Sequence, residues 1–118
     1  MRISLSLIGT SLSLLMMASS VWAVDPLPPE GEGRRAFLKY NCYGCHGQNA
    51  AGGMGPDIRR KDRDDVEHAV EHGMDGGMRS FEGIVNETEI RNIAAYLRSI
   101  GTPKEPKFYD WWVPVPTK

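Results

Sequence analysis

Cys42-Tyr43-Gly44-Cys45-His46 is the stretch on which the rest of the chain depends. Two thiols three positions apart, with an imidazole directly after the second, form the C-x-x-C-H pattern of covalent haem attachment. The spacing has a chemical reason. Each thiol can add to one porphyrin vinyl group, and the residue that follows is left beneath the iron as an axial ligand. A haem that passes electrons needs a second axial ligand, and a thioether opposite histidine is the usual choice in a high-potential carrier. Met78, in Gly76-Gly77-Met78-Arg79-Ser80-Phe81, is placed to supply it.

Other readings of the two cysteines compete. They could form a disulfide, or a thioredoxin-type dithiol. Neither use asks for His46, and the run from Gly47 to Pro56 is too rich in Gly, Ala and Asn for the strand-helix setting of a redox dithiol. A zinc site needs four ligands, and only His68 and His72 remain to be added. These alternatives correspond to a disulfide-closed interaction module or a small metal-bound domain.

The 118 residues suffice for one small domain. Arg2 precedes an apolar run from Ile3 to Val21, and Val21-Trp22-Ala23 offers small residues where a signal peptidase reads, so 1–23 is expected to be a signal peptide. An uncleaved anchor is the alternative, and contact with a membrane depends on it. Export suits thiol-linked haem, and the expected location is the periplasm. With 14 basic and 15 acidic residues, the chain has no charge for nucleic acid as a partner.

Residues 24–31 are rich in proline and read as an extended lead-in. A first helix is expected over 32–40, with Ala36, Phe37 and Tyr40 on one face and Gly33 where a second helix can come close. After His46, the Pro56 carbonyl is free to accept from the imidazole Nδ1–H and so fix its tautomer; Gly55-Pro56 as a simple turn is the alternative. A second helix is expected over 64–72, capped by Asp62 and stopped by Gly73. His68 and His72 lie one turn apart on it; a metal pair is one reading, solvated surface histidines the favoured one.

Three methionines compete for the iron. Met54 falls in the loop after His46, Met74 abuts a helix end, and Met78 is followed by an aromatic and a capped helix, which favours Met78. Packing is the alternative for each. The last helix opens with the capping box Asn86-Glu87-Thr88-Glu89, carries Ile90, Ile93, Ala94 and Leu97 on one stripe, and stops at Gly101 and Pro103. Its apolar face should pack on the first helix near Gly33 and Phe37. The tail, 103–118, contains Phe108, Tyr109, Trp111 and Trp112 among prolines; it either folds back on the domain or meets a partner.

These residues resemble the bacterial class I cytochromes c, single-haem carriers with histidine and methionine ligation. The resemblance covers 33–101 and rests on Cys42-x-x-Cys45-His46, Gly55-Pro56, Met78 with Phe81, and Ala94-Ala95-Tyr96-Leu97. It implies a small all-α fold over 32–102, with its N- and C-terminal helices crossing beside one covalently bound haem c. It also implies His46 and Met78 on the iron, Pro56 as hydrogen-bond acceptor, and Gly33, Phe37, Ile93 and Tyr96 at the crossing. Two positions depart from the family pattern. Phe37 stands one residue further from Cys42 than the usual aromatic, which brings in Leu38 as a competitor for that contact, and Arg79 replaces a common proline.

More narrowly, the Tyr-Gly filling between the cysteines, the Gly-Gly-Met loop and the Trp-Trp tail look like cytochromes that accept electrons from periplasmic quinoprotein alcohol dehydrogenases. The resemblance thus implies an electron carrier and not an enzyme, with such a dehydrogenase as donor and an oxidase or another cytochrome as acceptor. A five-coordinate haem enzyme or gas sensor, lacking methionine ligation, is the rival.

Overall fold

The computed structural model describes residues 26–106. The expected signal peptide and the aromatic residues of the tail lie outside them. Four helices follow in order: α1 (Pro29–Lys39), α2 (Tyr43–His46), α3 (Arg63–His72) and α4 (Glu87–Ser99). The expected all-α architecture is what the chain adopts, and among the described residues the only bridge of β type joins Met74 to Met78. No helix among them is long and apolar enough to cross a membrane.

α1 begins earlier than its sequence suggests. Pro29 takes the first helical position, where its missing amide hydrogen costs nothing, and Glu30 and Glu32 favour the positive end of the helix. Residues 29–31 are therefore helical and not extended. At the other end Asn41 adopts φ 57°, and the Cys42 amide donates to the Phe37 carbonyl at 3.0 Å. The chain thus turns directly from α1 into the cysteine motif.

α4 is built by the local signals its sequence carries. The Glu89 amide donates to Asn86 Oδ1 at 2.9 Å, and the Asn86 amide donates back to Glu89 Oε2 at 3.1 Å, which closes the capping box. Ile90, Ile93, Ala94 and Leu97 are buried on one stripe, and Tyr96 joins them.

α1 and α4 pack directly. A Cβ on Gly33 would stand 1.8 Å from the Asn92 carbonyl oxygen, so only glycine permits this approach. Phe37 is fully buried, with its ring centroid 5.4 Å from that of Tyr96. The aromatic contact falls to Phe37, and its competitor Leu38 stays half-buried. α3 packs on α4 as well, through Val66 and Val70 in the same core. Arg34, buried on α1, donates from Nη1 to the Pro106 carbonyl at 3.1 Å and fastens the segment after α4.

Candidate functional site

The cysteine motif forms a short helical turn. The His46 amide donates to the Cys42 carbonyl at 3.0 Å, and the Gly47 amide to the Tyr43 carbonyl at 2.9 Å. Cys42 is half-buried, Cys45 is exposed, and both are free thiols. Burial pushes the Cys42 thiol up to about 11, so it is neutral near pH 7. His46 is buried, with 8% of its surface exposed.

The loop that follows is folded back onto this turn. Its amides satisfy the carbonyls at the end of the turn: Gly55 donates to Cys45 O at 2.8 Å, and Gly52 to His46 O at 2.8 Å. The Pro56 carbonyl lies 2.9 Å from His46 Nδ1. A carbonyl can only accept, so the proton is on Nδ1 and the Nε2 lone pair is left for a metal. Gly55 makes the close passage possible. A Cβ there would come within 3.1 Å of both Cε1 and Nδ1 of the imidazole.

The three methionines are separated by their surroundings. Met54 is 88% exposed and Met74 is 52% exposed. Met78 is half-buried and packs against the core together with Cys42, Ile58 and Phe81. The turn between Met74 and Met78 is closed by the Met74 amide donating to the Met78 carbonyl at 3.0 Å, with Gly76 and Gly77 at φ 97° and 107°.

This turn is anchored to the C-terminal end of α3, whose last carbonyls would otherwise lack partners. The Phe81 amide donates to Val70 O at 2.7 Å, and the Ser80 hydroxyl donates to Glu71 O. Arg79 stacks its guanidinium over the Phe81 ring at 4.7 Å. Nothing in the sequence separates the Ser80 hydroxyl from a solvated one, and its anchoring role emerges only once α3 is placed.

The donor set suits an iron porphyrin. It offers two unbridged thiols on one turn, an imidazole whose Nδ1 is already committed, and a thioether held against the core. Among the described residues no three His, Cys, Asp or Glu side chains gather as a metal cluster. His68 and His72 are exposed on α3. Ala50 and Val85 are buried in the core without having been signalled by any helical periodicity.

Comparison with known proteins identifies the family. The family profile described as cytochrome c oxidase, cbb3-type, subunit III matches residues 29–97, more than half of the chain. Among solved structures, the dihydro-haem d1 dehydrogenase NirN, in complex with DHE, aligns with a TM-score of 0.50 and 26% sequence identity. That alignment covers 64% of this chain and 17% of NirN, so the similarity concerns a small part of a larger protein.

Proposed function

Because this chain belongs to the family described as cytochrome c oxidase, cbb3-type, subunit III, and is a class I c-type cytochrome, we propose that it is a periplasmic electron carrier with one covalent haem. Cytochrome c domains serve haem-based electron transfer, and the fold and family place this chain among them. In the proposed assignment Cys42 and Cys45 would hold the haem through thioether bonds, and His46 and Met78 would offer its iron a nitrogen and a sulfur donor. The observation that carries the reading is the 2.9 Å contact of His46 Nδ1 with Pro56 O, directly after two free thiols.

When bound, the haem supplies reversible one-electron chemistry. The chain's residues serve that chemistry by staying still. Pro56 keeps the His46 proton on Nδ1, and the Gly52 and Gly55 amides hold the turn that carries the imidazole. Met78 presents a thioether, which has no proton to gain or lose near neutral pH. Its loop is fixed to α3 at Val70 and Glu71, which limits the movement of that sulfur. Cys42, Ile58 and Phe81 contribute apolar surface that excludes water and lowers the local dielectric constant.

The proposed donor is a periplasmic dehydrogenase of the quinoprotein alcohol dehydrogenase type, and the acceptor an oxidase or another cytochrome. Tyr43-Gly44 between the thiols and the Gly76-Gly77-Met78 loop support the donor. Expression in a host with haem-attachment machinery should yield an exported chain whose intact mass is raised by one haem. Replacing both thiols, Cys42→Ser with Cys45→Ser, should abolish that increase. An exported parent chain of unmodified mass would overturn the assignment. A high-spin ferric spectrum would instead favour the five-coordinate enzyme or sensor.

A further inference from the structure

We propose that His68 and His72 form a bidentate site for a divalent transition-metal cation on the exposed face of α3, apart from the thiol-imidazole site. The two imidazoles stand one helical turn apart, with ring centroids 4.9 Å from each other and planes at 73°. A metal–nitrogen bond of about 2.0–2.1 Å places each ring centre about 3.3 Å from the ion. Two rings bound side by side, at angles from square to tetrahedral, then have centres about 4.6–5.3 Å apart. The observed separation falls inside that window, as two rings sharing one ion require.

Edge-to-face ring packing spans about 4.5–7 Å and accounts for the contact without a cation. What favours a cation is the setting. α3 is held at both ends, by Asp62 accepting from the Asp65 amide at 2.9 Å and by the Phe81 amide on Val70 O at 2.7 Å. The chelate is therefore presented by a fixed backbone. His72 lies in the last turn of α3, at the negative end of the helix dipole. The segment 62–75 contains six acidic residues against the single Arg63. Asp65 is paired with Lys61, and Glu67 with Arg63, while Asp64, Glu71 and Asp75 add negative potential around the pair.

Neutral imidazole suits zinc, copper and nickel, with copper the tightest. Among the described residues no third His, Cys, Asp or Glu completes a cluster. Water fills the remaining positions, and the bound ion exchanges readily. Such an ion braces the last turn of α3, the turn whose carbonyls hold the Met78 loop.

The test titrates zinc ion alone, by calorimetry, into haem-loaded oxidised protein stripped with chelator. The expected result is one equivalent bound, weakened about tenfold or more by His68→Gln and equally by His72→Gln, since either change leaves a single-point contact. Copper(II) should displace the zinc, and zinc should slow hydrogen exchange at the Phe81 amide. An unchanged ferric spectrum in both variants shows that they remain folded. No uptake at about 1 mM zinc would overturn the proposal. Uptake that survives both substitutions, or that is lost in only one variant, would overturn it too.

Discussion

Gly33→Ala tests the packing on which the cysteine motif rests. The new Cβ would lie 1.8 Å from Asn92 O, 2.3 Å from the Asn92 carbonyl carbon and 2.9 Å from the Ile93 amide nitrogen. All three are backbone atoms in the middle of α4, so no side chain can swing aside. Ordinary contact begins at 3.4 Å, which requires about 1.6 Å of separation along that direction. A gap of only about 0.5–1 Å already forfeits a quarter to a half of the dispersion attraction between facing groups. Here the facing groups include the buried Phe37, Ile93 and Tyr96.

Overpacking of this kind costs about 1–3 kcal/mol, and the severity of the clash places it near the upper limit. Alanine recovers about 1 kcal/mol in helix propensity. The net loss is about 2 kcal/mol, which in a domain of this size lowers the melting temperature by roughly 8–16 °C. Thermal unfolding of haem-loaded parent and variant, followed in the far ultraviolet, measures it. Gly31→Ala is the internal control. The atoms nearest a Cβ there all belong to the Leu27 side chain, the closest being Leu27 Cβ at 2.9 Å, so Leu27 must shift, and the change should cost less than Gly33→Ala. A Gly33→Ala protein as stable as the parent, or more stable by the propensity alone, would show that the two helices are not locked at this point.

Two further predictions concern the core and the distal loop. Burial pushes the Tyr96 phenol up to about 12, above the value of about 10 it regains on unfolding, so the unfolded chain loses this proton first. Stability should therefore fall as pH rises from about 10 to 12, by at most about 2–3 kcal/mol, and Tyr96→Phe should remove that part of the slope in urea titrations. The substitution should cost little at neutral pH, because the hydroxyl lies 3.5 Å from its nearest acceptor, Gln48 O; an identical slope in the two proteins would refute the assignment. Met78→Ala should abolish the weak long-wavelength ferric band and lower the reduction potential, whereas Met54→Ala and Met74→Ala, at exposed positions, should preserve both. A potential unchanged by Met78→Ala would remove Met78 from the iron.

What was legible in the sequence was what depends on neighbours along the chain. The capping box at Asn86, the Asp62 cap, and the Gly73 stop at φ 72° are sealed within a few residues, and each has the predicted form. Gly33 could be recognised because a glycine one turn before a core aromatic has few other uses. The start of α1 was misplaced because proline was read as a breaker, when at the first position of a helix it removes only an amide that no carbonyl would have met. Arg34 and Ala50 gave no local sign. Arg34 donates to the Pro106 carbonyl and the Ala50 carbonyl accepts from the Ile58 amide, partners that the residues adjacent in sequence do not announce.

The methionines show the same division at the site. Local sequence could rank Met54, Met74 and Met78 only by what flanks them, since all three lie beside glycine or a helix end. Their difference comes from α3. Its terminal carbonyls need donors, the Phe81 amide and Ser80 hydroxyl supply them, and that closure draws the following chain against the core while Met74 is left at the rim. The distal loop is therefore positioned by unmet hydrogen bonds at a helix end, and the proximal loop likewise, through Gly52 and Gly55 on the last carbonyls of α2. In both, glycine-rich chain is held by backbone groups that must find partners, so side chains such as Met78 and the His46 imidazole receive fixed positions from segments that have no regular structure of their own.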